Sequence, residues 1–263
     1  MKKMLSLALA AVLLLLLCPC LAAAAPESGY GESLYVKPVK LPGDFILGMD
    51  VSSVIAEEAS GVRYYDFDGA ERDLFELLAE NGVTHIRVRV WNHPYDADGR
   101  GFGGGNCDIE NAVAIGRRAT AAGLPLIVDF HYSDFWADPG KQMVPLAWKD
   151  MEIEEKTEAV YEYTCDCLMR LRDEGVAVAM VQVGNETNGA LCGETIWFNI
   201  QYLMQAGAKA TREVFPDALV AVHFANPESG AYAGWAKKLA YYDVDYDVFA
   251  PCAARGSWRC PCR

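Results

Sequence analysis

The sequence predicts an α/β protein of the (β/α)8-barrel type, incomplete, with about six βα units and strands seven and eight missing. Three observations carry that prediction. Segments that read as strands and helices alternate six times at spacings of roughly 25 to 45 residues, which demands parallel strands joined by crossover helices. Within the strands one face is polar and the other apolar, and the polarity is densest toward the C-terminal ends. An open sheet covered by helices on both faces would be apolar on both, whereas a barrel with its site at the C-terminal face needs this polar inner wall. Finally, no Gly-x-Gly-x-x-Gly follows a strand. Glycines 101, 103, 104 and 105 sit in a long loop before a helix opened by Asp108, and no Lys-Ser/Thr follows, which sets nucleotide and phosphate binding aside.

The elements follow in order. Met1-Lys2-Lys3, the apolar run from Leu5 to Leu17 and the alanines at 22–25 read as a secretory signal peptide over residues 1–25, with Pro19 interrupting any span of the bilayer. A secreted protein with no membrane association after cleavage is expected. Residues 26–44 form a polar tether, and residues 45–250 the partial barrel domain. The first strand is expected over 45–52. A helix follows with Asp68 as N-cap, a Leu74/Leu77/Leu78 stripe and Gly82 just past its end. Residues 84–91 make the second strand, and Asp108 caps a helix that stops at Gly123. Residues 126–132 make the third strand, Asp150 begins a charged helix ending at Gly175, and 176–184 is the fourth strand. A helix over about 195–215 stops at Pro216. Residues 219–224 are the fifth strand, 230–242 a helix, and 247–250 the start of a sixth strand. The tail, 251–263, carries three Cys and three Arg and no acidic residue, and reads as the product of a frameshifted or truncated gene.

A formal charge of −13 argues against nucleic acid or an anionic membrane as partner, because phosphate binding needs clustered Lys and Arg. Seven of the nine cysteines lie beyond residue 25, and their spacing carries no metal signature. Cys165 and Cys167 are two apart on a helix and face different ways. Cys107 and Cys192 lie on separate loops, where a disulfide is open. No cofactor and no metal are expected, and the protein is expected to be a monomer.

Residues two apart in a strand share a face. Arg87, Arg89 and Trp91 therefore share one face of the second strand, Asp129 and His131 one face of the third, and Gln182, Gly184 and Glu186 one face of the fourth, while His223 alternates with Val222 and Phe224. The stretch from Met180 to Glu186 is an apolar strand that ends in Gly-Asn-Glu. It reads either as a catalytic acid presented at a strand end or as a loop carboxylate capping the next helix.

Gly48-Met49-Asp50-Val51-Ser52-Ser53, Arg87-Val88-Arg89-Val90-Trp91-Asn92, Asp129-Phe130-His131-Tyr132-Ser133-Asp134-Phe135-Trp136-Ala137-Asp138-Pro139 and Val183-Gly184-Asn185-Glu186 together resemble the glycoside hydrolase family 53 endo-β-1,4-galactanases. The likeness covers residues 45–250, and the third-strand run is its most specific part. It implies a retaining endo-hydrolase of galactan and type I arabinogalactan, the polysaccharide partner expected here, with glutamates at the ends of strands four and seven. Glu186 matches the acid/base, and burial would keep it protonated. Asn185 resembles the residue that bonds the sugar hydroxyl beside the reacting carbon, a role that requires the strand to break at Gly184. Arg87 and Asp50 are expected among the substrate-binding residues, while Arg87 and Arg89 are read either as holding a carboxylate ionised or as pairing structurally with Asp50 or Asp129. His131 and His223 either bond sugar, orient Glu186 or sit satisfied in the core. Trp91 and Trp136 suit stacking on a pyranose, with core packing the competing reading.

The chain departs from the family after residue 250. No glutamate follows Glu228 and the last acidic residue is Asp247, so the strand-seven nucleophile is absent, and little activity and poor folding are expected. Any family calcium would belong to later loops. Two other functions stay open, a non-catalytic galactan-binding or defunct fragment, and another barrel endo-glycosidase acting on mannan or β-glucan.

Overall fold

The computed structural model describes residues 40–252. The expected signal peptide, most of the tether and all of the tail beyond residue 252 lie outside the described residues. Residues 40–45 belong to a unit separate from the rest and contain a turn in which the Phe45 amide donates to the Pro42 carbonyl at 3.1 Å.

The main unit is a six-stranded sheet of β1 (Gly48–Asp50), β4 (His85–Val90), β5 (Leu126–Phe130), β6 (Val178–Val183), β7 (Leu219–Ala225) and β8 (Val248–Cys252). They lie in that spatial order, and every neighbouring pair is parallel. The crossovers are α2 (Leu74–Glu80), α3 (Ile109–Ala121), α4 (Ile153–Asp173), α5 (Trp197–Val214) and α6 (Tyr232–Tyr241), preceded by a short α1 (Val54–Ala59). This is an incomplete (β/α)8 barrel with six strands, as the alternation predicts.

The core lies between the sheet and its helices. Ile86, Val88, Val90, Val128, Phe130, Val181, Val183 and Phe224 all bury on that side. The opposite face carries Arg87, Arg89, Asp129, Gln182 and His223, and the register sets Arg89 beside Asp129 and Asp129 beside Gln182. Helix α5 approaches the sheet closely at Gly207. A Cβ there would come 2.6 Å from the Tyr132 hydroxyl and 2.7 Å from Val183 Cγ1, so only glycine lets the helix sit at this depth.

Several boundaries differ from the sequence reading. Asp68 caps no helix; it lies in the turn between β2 (Tyr64–Tyr65) and β3 (Glu71–Arg72), where its amide donates to Asp66 Oδ1 at 3.0 Å. The cap of α2 is Asp73, whose carboxylate accepts from the Phe75 amide at 2.8 Å. Helix α4 starts at Ile153, and the Glu155 carboxylate reaches back to the Glu152 amide at 3.1 Å, so Asp150 stays outside the first turn. The first strand is three residues long, not eight. Asp108 does cap α3, accepting from the Asn111 amide at 2.8 Å. Cys107, Cys165, Cys167, Cys192 and Cys252 are all free thiols, so Cys107 and Cys192 form no disulfide. No helix among the described residues is long and apolar enough to cross a membrane.

Candidate active site

The polar face of the sheet converges on one carboxylate and one guanidinium. Arg87 on β4 donates from Nη1 to Asp50 Oδ2 at 2.6 Å and from Nη2 to Asp129 Oδ2 at 2.7 Å. The same Nη2 reaches Gln182 Oε1 and Asn185 Oδ1, each at 3.2 Å. Gln182 on β6 returns a bond from Nε2 to Asp129 Oδ1 at 2.6 Å. Asp129 is wholly buried. Burial alone would raise its carboxyl, but Arg87, and then His131, pull it down to about 2. A buried carboxylate held by an arginine, an amide and a histidine is fully bonded and rigid, and it fixes the side chains around it.

His131 is part of that frame. Its Nδ1 accepts the Ala137 amide at 3.0 Å, which places the proton on Nε2, where it is donated to Asp129 Oδ2 at 3.0 Å. Both ring nitrogens are occupied and the ring is 1 % exposed, so His131 orients its loop and Asp129 and has no nitrogen left for a ligand. His223 differs. Its Nδ1 accepts the Glu186 amide at 3.0 Å, leaving an Nε2–H donor. Burial holds the imidazole neutral, with its pKa lowered to about 4 although Asp129 nearby pulls the other way.

Strand β6 breaks where the sequence reading required. Gly184 adopts φ of +86° and Glu186 φ of +51°, so alternation ends after Val183. A Cβ at Gly184 would come 2.6 Å from Thr187 Cγ2 and 2.8 Å from Leu191 Cδ1, which excludes any larger residue. The break turns Asn185 inward, where Oδ1 accepts from Arg87 and Gln182 and Nδ2 donates to the Ala137 carbonyl at 2.8 Å. No described residue accepts the other amide hydrogen of Asn185. Glu186 then stands at the mouth, half-buried, and no bond to its carboxylate is made by a described residue. Burial first, and the charge of Asp138 second, raise its pKa above the ordinary carboxyl value. A raised pKa is the direction required of a carboxyl that acts as a general acid.

The two tryptophans separate. Trp91 is 0 % exposed, edge-packed against His131 at 6.0 Å and against Trp136 at 5.6 Å, so stacking on a sugar does not fit it and core packing does. Trp136 is 41 % exposed, with the Arg89 guanidinium 4.2 Å from the centre of its ring. Arg89 is 7 % exposed and approaches Asp50 only to 3.7 Å, so its main partner is the indole. Asp50 bonds Arg87 and the Ser52 hydroxyl. Arg87, Asp50, Asp129, Gln182, Asn185 and His131 thus form one connected network, and Glu186 follows Asn185 directly in the chain with its amide bonded to His223.

Sequence reasoning missed two members. The sequence puts Gln182 on the inner face and marks no part for it, although it bonds Arg87, Asp129 and Asn185 at once; its position two residues before Gly184 is the available signal. Gln142 lies in the loop after β5, and its Nε2 donates to the Asn185 carbonyl at 2.7 Å, holding the broken strand end. Nothing local marks it. No group of three or more His, Cys, Asp or Glu among the described residues is arranged to hold a metal.

The sequence profile of glycosyl hydrolase family 53 matches residues 46–254. An endo-beta-1,4-galactanase of Bacillus subtilis is 52% identical over 221 residues, covering 83% of this chain and 52% of that protein. An arabinogalactan endo-beta-1,4-galactanase of Humicola insolens is 40% identical over 185 residues, covering 68% of this chain and 53% of that one. The chain spans about half the length of these curated relatives. Among solved structures, the catalytic domain of an Ignisphaera aggregans protein of the same family superposes with a TM-score of 0.79 at 39% identity, over 82% of this chain and 62% of that one. One of two fungal beta-1,4-galactanases superposes with a TM-score of 0.69 at 34% identity, over 76% and 62%.

Proposed function

The chain belongs to glycosyl hydrolase family 53, and from that premise we propose that it carries the acid/base half of a retaining endo-hydrolase of β-1,4-galactan and type I arabinogalactan. The observation that carries the proposal is Glu186 at the broken end of β6, its pKa raised by burial and its carboxylate unbonded by any described residue. In the first step Glu186 gives its proton to the glycosidic oxygen as the carbon–oxygen bond breaks and a second carboxylate, about 5 Å away, attacks the anomeric carbon. In the second step ionised Glu186 takes a proton from water, the water oxygen bonds the anomeric carbon, and the enzyme carboxylate leaves.

The neighbours have parts that follow from their bonds. Asn185 offers the hydroxyl beside the reacting carbon the amide hydrogen that no described residue accepts. Arg87 and Gln182 hold Asn185, Asp129 holds both, and His131 holds Asp129. His223 positions the Glu186 backbone and offers Nε2–H to substrate. Trp136, backed by Arg89, supplies the flat apolar surface on which a pyranose face rests.

The 263 residues contain no glutamate after Glu228, so no residue of the given sequence matches the strand-seven nucleophile. On this reading the polypeptide by itself binds galactan but hydrolyses it weakly or not at all, in the manner of an enzyme deprived of one of two cooperating carboxylates. The same observation favours a second reading, a galactan-binding protein without turnover. The test is a reducing-sugar assay on β-1,4-galactan of the chain alone and of the chain continued by the C-terminal portion of the Bacillus subtilis relative. Hydrolysis gained in the continued chain and lost with Glu186→Gln supports the first reading. Hydrolysis that survives Glu186→Gln overturns it, and mannan or β-glucan cleaved in preference to galactan overturns the substrate.

A further inference from the structure

Outside the catalytic face, the first turns of α4 and α5 enclose a hollow of about 440 Å3, within the range of small-molecule sites. Ile153 and Thr157 line it from α4, Phe198 and Tyr202 from α5, and Glu154 stands at its edge. Phe198 and Tyr202 are 53% and 40% exposed, large aromatic surfaces left open to solvent. Their rings meet at 88° with centroids 5.2 Å apart, forming a corner rather than a flat plate. Thr157 and Tyr202 also line a second hollow of about 250 Å3, so the corner opens into a groove that continues between the helices past Gln205.

The corner is held in shape. Lys156, a residue 7 % exposed, pairs through its ammonium with Glu194 at 2.5 Å, and Asn199 donates to the other Glu194 oxygen at 2.8 Å. These bonds tie the first turn of α4 to the entry of α5. The corner also lies at the catalytic end. Each helix is followed after four residues by its strand, so the C-termini of α4 and α5 lie where β6 and β7 begin and their N-termini lie where the strands finish. Ile196, just before α5, is ten residues from Glu186, a separation of at most about 36 Å.

We propose that this corner is a second carbohydrate-binding site, which holds a galactosyl unit of the same polymer while Glu186 acts on another part of it; the identity of the polymer rests on the function proposed above. The chemistry selects a neutral sugar. A pyranose has an apolar C–H face for one ring and hydroxyls that can donate to the Glu154 carboxylate, Thr157 Oγ1 and Gln205 Oε1, the hydrogens of Thr157 and Gln205 being already given to Ile153, Gln201 and Tyr242. Glu154 and Glu158 repel a polyanion, and the cations beside the two hollows are engaged, Lys156 with Glu194 and Lys209 over the Tyr161 ring with Glu213 3.9 Å from its ammonium. An apolar peptide helix would cover the Glu154 carboxylate without giving it a donor.

Affinity electrophoresis of the full chain tests the proposal, in gels containing β-1,4-galactan, mannan or polygalacturonate. Galactan should retard the parent and polygalacturonate should not. Phe198→Ala combined with Tyr202→Ala should weaken retention on galactan at least about fivefold, Tyr202→Phe should keep it, and the affinity of galactotriose for the cleft should be the same in all three. Equal retention of the parent and the double variant overturns the site. Should the double variant fold poorly, hydrogen exchange on the unmutated chain decides: protection of segments 153–157 and 196–202 by galactan oligosaccharides upholds the site, and its absence overturns it. Retention on mannan alone, lost in the double variant, upholds a sugar site at the corner and overturns the galactan reading. Self-association lost in the double variant, without retention on any polymer, makes the corner a contact between copies and overturns the proposal.

Discussion

At Glu186 a backbone conformation uncommon for a non-glycine residue and a carboxyl with a raised pKa coincide. The raised pKa sets a direction for the pH profile. The acid form is lost as pH rises through its folded pKa, so Glu186-dependent hydrolysis by the continued chain should fall on an alkaline limb lying above the ordinary carboxyl value. The Arg87 charge lowers the Glu186 pKa, so Arg87→Met should move that limb further up. The same substitution strands Asp129 buried without its cation and should cost about 3 kcal/mol in chemical denaturation. His223 has a folded pKa of about 4, below its ordinary 6.5, so the folded protein binds fewer protons than the unfolded chain between those values. Stability should therefore fall as pH drops from about 6.5 to 4, and His223→Gln should flatten that part of a thermal midpoint against pH curve. Asp129, held near 2 against an ordinary 3.8, adds a second loss as pH falls through that lower window.

At the scale of the element, the catalytic geometry depends on where β6 stops. Gly184→Ala would place a Cβ against Thr187 and Leu191 in a left-handed conformation, and should destabilise the protein by about 2 kcal/mol while weakening galactotriose binding in the cleft. A variant with unchanged denaturation midpoint would show that the strand end tolerates a side chain. The helix starts show how sequence and structure diverge. Asp68 and Asp73 are both acceptable caps five residues apart, and local chemistry alone does not choose between them. The intervening hairpin of β2 and β3 does, by using Asp66 to accept the amides of Asp68 and Ala70. Asp73→Ala should cost about 1 kcal/mol, and Asp68→Ala far less.

At the scale of the whole molecule, the sheet has two outer strands. Neither β1 nor β8 pairs on its outer side with another described strand, and Leu47 and Met49 beside the β1 edge are 43% and 44% exposed. Unpaired edges flanked by apolar side chains template association. Light scattering of the purified chain should show concentration-dependent growth in size, reduced by Met49→Lys. A monomer that stays monodisperse at high concentration would count against edge-driven association.

Six alternations of strand and helix, the polar inner face and the specific third-strand run were legible in the sequence because they follow from short-range rules, the two-residue period of strands and the need of crossovers between parallel strands. Arg87, Asp129 and Glu186 could be found in this way, since each sits on a regular strand or at its end. What the tertiary structure decided was long-range. Trp91 is core and Trp136 surface, although both are tryptophans at the site, because Phe135 and Trp136 close over the first. His131 is spent on Asp129 and Ala137, and His223 is not. Gln142 supports the Glu186 segment from 43 residues away in sequence, as its bond to Asn185 shows. Partners so distant along the chain leave no local signature, and only the folded barrel brings them within hydrogen-bonding distance.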